Sequence, residues 1–551
     1  MLAVSIVSAH PKISRELDNT SPESTVDVIV QFKTNPTEAS HRKITDRGGL
    51  VKSKLDIVRA GAYRILASKL EDLANDPEVE QIVPDRQLRG LANGTGPDPA
   101  LTVTGGAAIQ AAGTNGSGIG VAVIDSGFTN YGDLNGAVVY SQSFVEQGTS
   151  SFDSSTDDAY GHGTHVAGII ASNGFNSRDS AYPYEYLGMA PGAQLINLRV
   201  LNGSGSGRDS DVIAAIQKAI ALKSKYNIRI INLSLGRAVT TSYKVDPLCQ
   251  AAEAAWKAGI VVVAAAGNYG RDNSFGEHGY GTILAPGNDP YVITVGAMKD
   301  MGTPTRTDDL IASYSSKGPT LIDYVVKPDV VAPGNLIVSV EQSSATLTEL
   351  YPGNRVNTAQ NHPEFYFTLS GTSMATPMVS GGIALLLQRD PSLTPDQVKA
   401  RIMKTASKSF PASSVATDPQ TGISYTSYYD IFTVGAGYVD FHAAQMNSDL
   451  TNEPSLSPSV AFHSSTGSAS LVAAGGVTWG SSVTWGSSVI WGSNVLDGSN
   501  VIWGSSVIWG SSFGADQAMS LIWGSGTPLA SSVIWGSSTP GAESVMVNGE
   551  N

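Results

Sequence analysis

Apolar positions recur along this chain in two rhythms, and a third stretch follows neither. Between Val26 and Arg89 the runs are short. VDVIVQF predicts a strand, Glu38 to Arg47 a helix, Gly48-Gly49 a turn, then a strand through Ile65, a helix over Lys69 to Ala74 and a strand over Val79 to Val83. That pattern describes a small α+β unit over 26–89. Gly94, Gly96, Pro97 and Pro99 follow, so 90–104 reads as an exposed linker open to cleavage.

From 105 to 444 the rhythm changes. Continuous apolar runs (Gly120 to Ile124, Gln194 to Val200, Ile228 to Leu233, Ile260 to Ala266, Val292 to Ala297) alternate with helical patterns at His162 to Ala171, Ser210 to Lys225 and Pro247 to Ala258. Strands apolar on both faces and separated by amphipathic helices predict an α/β domain with a mostly parallel sheet between helices. Residues 445–475 form a Ser/Pro/Asn-rich connector. Over 476–551 a hexad W-G-S-S-V-I repeats, with Trp at 479, 485, 491, 503 and 509 and a broken register beyond, to Trp523 and Trp535. An even repeat keeps Trp, the second Ser and Val on one face of an extended chain. The tail is thus expected either to form β structure, with a surface-binding or self-associating role, or to be a flexible low-complexity extension.

Charge sharpens these divisions. The 551 residues carry 34 Lys+Arg against 48 Asp+Glu, a formal charge of −14. Residues 1–90 balance, 91–408 carry −5, and the 143 residues after Lys408 hold nine acids and no base. No basic patch offers a footprint for nucleic acid or anionic lipid. No apolar run of about 18 residues exists to span a membrane. A single cysteine, Cys249, excludes an intrachain disulfide and a multi-cysteine metal site. Within the 1–25 segment, MLAVSIVSA is apolar and ends in small residues, like the back half of a secretory signal.

Candidate chemistry sits in glycine-rich turns at the ends of the central elements. Asp125 closes VAVI at the carboxyl edge of the sheet, where ligand sites of open α/β sheets lie; alone, such an Asp is a turn former or helix cap. His162 enters a small-residue helix in GHGTHVAG, and His165, one turn on, reads as a packing residue rather than a metal ligand. Ser373 lies in LSGTSMATPMVSGGIALLL, where Pro377 cannot donate to the serine's carbonyl and Ser380, Gly381 and Gly382 imply close packing. Asn268 ends AAAGN, and its amide can donate to an oxyanion. Asp153, Asp157 and Asp158 read either as calcium ligands or as a solvated acidic turn.

Together, VAVIDSG, GHGTHVAG, GMAPGAQLINLRVL, INLSLG, VVVAAAGN, SYSSKGP, KPDVVAPG and LSGTSMATPMVSGGIALLL run in order through 105–444. In these segments the chain resembles the subtilisin-like serine peptidases. The Asp, His, Ser order is that of the subtilisin triad. The resemblance implies Asp125, His162 and Ser373 as the triad and Asn268 as oxyanion donor. It implies a cleft edged by Ser234, Leu235 and Gly236 and by Ala265 and Gly267, polypeptide substrates with an apolar side chain before the cut bond, and no cofactor for the chemistry, with structural calcium common in the family. It also implies that 26–89 is an inhibitory pro-domain, the chain's own intramolecular partner, in a secreted zymogen. The competing reading is a non-catalytic binding protein on the same fold. The stretch Ser172 to Leu187, longer than the family's loop and rich in tyrosine, is expected either to extend the cleft or to cover the sheet.

Overall fold

A computed structural model describes residues 10–14, 17, 20–55, 58–85, 97–145, 155–178, 182–273, 278–356, 364–418, 421–463, 468–472, 500–503, 507–510, 533–534, 546–547 and 549–550. The chain divides into two compact units, one of residues 1–91 with 420–422 and one holding the rest.

The first unit is a four-stranded antiparallel sheet in the order β2-β3-β1-β4, built from β1 (Thr25–Phe32), β2 (Leu50–Leu55), β3 (Ala60–Leu66) and β4 (Val79–Pro84) with helices α1 (Glu38–Thr45) and α2 (Leu70–Ala74). The stretch expected as one strand through Ile65 is two. The chain reverses at Arg59, whose φ of 53° is one that few non-glycine residues adopt. Val28, Val30 and Phe32 alternate inward from β1 onto Ile44, Leu70 and Leu73 of the helices, so a single sheet face is covered.

The second unit begins with α3 (Pro99–Val103) and α4 (Gly106–Ala111), and its centre is an eight-stranded sheet in the order β12-β11-β10-β9-β5-β7-β6, with β13 on β11. These strands are β5 (Gly120–Asp125), β6 (Val138–Ser143), β7 (Gln194–Arg199), β9 (Ile228–Leu233), β10 (Val261–Ala265), β11 (Ile293–Lys299), β12 (Leu310–Ile311) and β13 (Val330–Pro333), all parallel except for the β11–β12 pair. Every residue of β5, β10 and β11 is buried, as a sheet covered on both faces requires. Between strands run α5 (His162–Ala171), the two-residue β8 (Ser206–Gly207), α6 (Asp209–Tyr226) and α7 (Pro247–Lys257). Helix α6 buries Val212, Ala215, Ile216 and Ala219, one stripe at helical spacing. Helix α7 starts on Asp246, whose carboxylate accepts from Leu248 N at 3.0 Å ahead of Pro247.

Beyond the sheet lie β14 (Ile337–Val340), α8 (Thr346–Leu350), β15 (Tyr366–Leu369), α9 (Thr372–Arg389), α10 (Pro395–Thr405), the hairpin of β16 (Ser413–Thr417) and β17 (Ser424–Tyr428), and α11 (Phe441–Met446). Helix α9 is buried on every side from Thr372 to Leu387. Its close packing has named causes: a Cβ on Gly381 would meet Met189 Cβ at 2.4 Å and one on Gly382 the Phe441 ring at 2.2 Å. In the Ser172 to Leu187 stretch, Tyr182 and Tyr186 pack on Tyr366 of β15, and the Tyr366 hydroxyl donates to Asp133. The described tyrosines of this stretch form a separate small cluster with Val340 and Tyr366 of the β14–β15 ladder.

After α11 come the hairpin of β18 (Ser459–His463) and β19 (Ser468–Val472) and a second of β20 (Asn500–Trp503) and β21 (Val507–Gly510), then β22 (Val533–Ile534), which pairs with β8. In the second hairpin Val501 lies opposite Trp509 and Trp503 opposite Val507, so two consecutive hexads pair in register. Trp479, Trp485, Trp491, Trp523 and Trp535, and residues 1–9 of the expected signal remnant, lie outside the described residues.

Candidate active site

Two neighbouring strands bring the site together. Strands β5 and β9 run parallel with Val123 opposite Asn232, so Asp125, the last residue of β5, and Ser234, the first after β9, leave the same sheet edge. Paired strands lie about 4.8 Å apart.

Asp125 is buried at that edge, and its two carboxylate oxygens take the His162 Nδ1 hydrogen at 3.1 and 3.2 Å. Ser126 N donates to Oδ1 of the same carboxylate at 2.6 Å. A proton on Nδ1 fixes the tautomer and leaves Nε2 as the basic nitrogen. His162 is the first residue of α5, after Gly161 at φ 104°. A Cβ on Gly163 would meet the Gly127 carbonyl at 2.2 Å, so glycine is needed for α5 to butt against the Asp125 turn.

The start of α5 is held by a residue the sequence misplaces. Asp158 is 2% exposed and not a solvated acidic turn. Its Oδ1 accepts from Gly161 N at 2.7 Å, Tyr160 N at 3.1 Å and Ser126 Oγ at 2.8 Å, and its Oδ2 from Thr164 N at 2.7 Å. Ser126 Oγ in turn accepts from Gly163 N at 2.9 Å. Burial raises the Asp158 pKa against these opposing donors. Asp158 is thus committed to the helix, Asp157 is exposed, and Asp153 lies outside the described residues. Among the described residues no group of three His, Cys, Asp or Glu assembles. His165 is buried, donating from Nε2 to the carbonyls of Ile337 at 3.1 Å and Phe367 at 3.0 Å.

Ser373 is the second residue of α9. Its hydroxyl donates to the Ser234 carbonyl at 3.2 Å, and its own carbonyl, which Pro377 leaves without a helical donor, accepts from Ser234 Oγ at 2.8 Å. Ser234 Oγ accepts from Asn232 Nδ2 at 3.0 Å, and Asn232 Oδ1 from Ser380 Oγ at 2.8 Å. Ser234, expected as a cleft edge, therefore also braces the helix that bears Ser373, and Asn232 and Ser380 extend that brace. The signal for it was Pro377.

Asn268 follows β10. Its Oδ1 accepts from Thr372 N at 2.9 Å and from Thr372 Oγ1 at 3.1 Å, which orients Nδ2 as the outward donor. A Cβ on Gly371 would lie 3.0 Å from that Nδ2, so the approach needs glycine there, at φ 149°. Leu235 and Ala265 are buried; Gly236 packs on Leu284, and Gly267, at φ 111°, donates to Thr372 Oγ1 at 3.1 Å. These residues line the same edge as Ser373 and Asn268.

An imidazole held by a carboxylate at one strand end, with a helix-borne serine held at the end of the neighbouring strand and an amide donor, is the equipment of a serine hydrolase on an open parallel sheet. Residues 116–427 match the model of the subtilase family, and the chain belongs to it. It is 35% identical over 389 residues to serine protease AprX of Bacillus subtilis, covering 68% of this chain and 80% of that one. It is 33% identical over 383 residues to subtilisin E of the same organism, covering 69% and 84%, and 36% identical over 300 residues to a subtilisin of Bacillus pumilus, covering 54% and 87%. The protein is a subtilisin-like serine endopeptidase acting on polypeptides. Among the described residues no helix is long and apolar enough to cross a membrane.

Proposed function

We propose that Ser373, His162 and Asp125 are the triad of this peptidase. His162 Nε2 removes the Ser373 proton as Oγ attacks the scissile carbonyl, then returns it to the leaving amine. Asp125 keeps the imidazole oriented and stabilises the imidazolium. Before attack the hydroxyl turns from the Ser234 carbonyl toward His162. Asn268 Nδ2 and the Ser373 N–H receive the oxyanion, and the dipole of α9 favours the same charge. Water then enters, activated by His162, and hydrolyses the acyl-enzyme. The observation that carries this reading is the Asp125–His162 pair at 3.1 Å on the strand end next to the one that holds Ser373.

Ser234, Leu235 and Gly236 would pair with substrate backbone as an added strand, because the β9–β10 ladder ends at Leu233. Ala265 and Gly267 leave room for an apolar side chain. In this reading 26–89 is an inhibitory pro-domain of a secreted zymogen, 90–104 the processing linker and 105–444 the catalytic domain; 476–551 is a repeat tail joined by 445–475. Support for the pro-domain is its own compact unit and its balanced charge. The paired hexads of β20 and β21 favour a β-forming tail over a flexible extension.

A fluorophosphonate should label Ser373 in the wild-type chain and not in Ser373→Ala. Mass spectrometry should show the wild type shedding about 90–100 N-terminal residues, a size set by the linker position. Equal maturation of Ser373→Ala refutes self-processing by this triad.

A further inference from the structure

The last described residues of the chain are built into the catalytic unit. Met546 and Val547 are buried in the main apolar cluster, and the Met546 carbonyl accepts from Ser370 N at 2.9 Å. Asn354 Nδ2 donates to the Val547 carbonyl. Gly549 has φ 63°, and a Cβ there would lie 2.4 Å from Leu336 Cδ2 and 2.6 Å from Ser370 Oγ. Glu550 N donates to Asn335 Oδ1 at 2.8 Å, and its carbonyl accepts from Asn335 Nδ2 at 2.7 Å, so one asparagine reads both backbone groups.

The Glu550 side chain is fully buried. Its Oε2 accepts from Ser313 N at 2.9 Å, from Ser313 Oγ at 2.5 Å and from Arg271 Nη2 at 3.0 Å, while Lys299 Nζ lies 2.9 Å from Oε1. A buried carboxylate met by two cations and two neutral donors is a built receptor. Its pattern selects two apolar residues, then Gly-Glu two positions on.

The receptor's walls are the segments that hold the oxyanion donors. Arg271 is three residues after Asn268, and Ser370 three before Ser373. Asn335 lies between Gly334, whose carbonyl accepts from Gly371 N at 2.7 Å, and Leu336, whose N donates to Ser370 Oγ at 2.8 Å.

We propose that the catalytic unit carries a peptide-binding site whose ligand is the chain's own segment 546–550, anchored by Glu550, and that its occupancy holds Asn268 and Ser373 in register. The second half rests on the oxyanion reading above. Two full-chain variants, Glu550→Ala and the double change Met546→Ser with Val547→Ser, release the clasp from opposite ends. Each should have a lower thermal midpoint and kcat lowered about fivefold or more with KM little changed. A synthetic peptide of residues 543–551 should restore both saturably, and the same peptide with alanine at 550 should not. Wild-type midpoints in both variants, or no saturable peptide binding to either, overturns the site. Rescue of the midpoint with kcat unchanged throughout overturns the coupling. Should neither variant fold, carboxypeptidase digestion of the full chain carrying Ser373→Ala decides: it should stall before Glu550, and release of Glu550 at the free-peptide rate overturns the site. An unreactive Ser373 in the wild type would instead sink the oxyanion reading, leaving the midpoint and binding measurements intact.

Discussion

Helices α5 and α9 both enter the site from a glycine at positive φ, and both present an amino end to the reaction, yet they are finished in opposite ways. The end of α5 holds two buried carboxylates: Asp158 across the first-turn amides and Asp125 on His162. The end of α9 meets no carboxylate in its described contacts; the uncharged Asn268 amide faces it through Thr372 N. A helix amino end carries about half a positive charge. On the proposed triad a cation forms on His162, where that charge is opposed, and carboxylates cancel it. The same proposal sets an oxyanion beside Ser373, where the helix charge helps and meets no carboxylate in the described contacts. One fold device would thus serve both charges of the proposed tetrahedral intermediate, and its sign is set by one residue type at each end.

The largest expected effect tests the premise. Ser373→Ala should lower kcat about 10⁶-fold, the size known for loss of the nucleophile in a subtilisin. A loss of less than about tenfold would place the chemistry elsewhere. At the α9 end, Asn268→Ala should cost about 10²–10³ in kcat with KM nearly unchanged. Asn268→Asp keeps the shape and adds the charge that the comparison forbids there, so near neutral pH it should be slower than the alanine variant. Equal rates for the two would show that sign at the α9 end does not matter.

The reciprocal change at the other end is smaller. Asp158→Asn preserves one accepting oxygen, removes the carboxylate and sets an amide against the helix N–H groups. It should cost about tenfold in kcat, with about 1–2 kcal/mol of stability, the range for a lost cap. Denaturant midpoints and single-turnover rates report the two separately. Unchanged turnover in a destabilised Asp158→Asn would make the second carboxylate purely structural.

Much of this site was legible because its parts have local signatures. Strand β9 and helix α5 have the boundaries that their apolar patterns predict, and Pro377 announced that the Ser373 carbonyl needs an outside donor. What escaped was non-local. Asp158 sits in an acidic, polar run that reads as a calcium-ligand set or a solvated turn, and its buried bonds to Ser126 and the α5 amides come only with the fold. The β2–β3 reversal falls at Arg59, a residue type that signals no turn. Glu550 sits in a stretch without a base of its own sign-matching chemistry; its partners Arg271 and Lys299 come from more than 200 residues away.

His165 offers the smallest and most selective test of the charge rule at α5. It lies one turn beyond His162, and its described partners are the two backbone carbonyls on Nε2, with no carboxylate among them. Burial first, and the neighbouring His162 second, lower its pKa from 6.5 to about 3. The unfolded chain therefore binds a proton in that window that the folded chain refuses. Stability contributed by the neutral ring is complete above about pH 6.5 and is lost as pH falls toward 3, by at most about 1.4 kcal/mol per pH unit. Thermal midpoints of Ser373→Ala, which cannot digest itself, should fall over this range. Adding His165→Asn, which keeps a donor but cannot titrate, should flatten the fall while lowering the neutral-pH midpoint slightly. The same slope with and without His165 would mean that α5 tolerates an unpaired cation, and the contrast between the two helix ends would lose its physical basis.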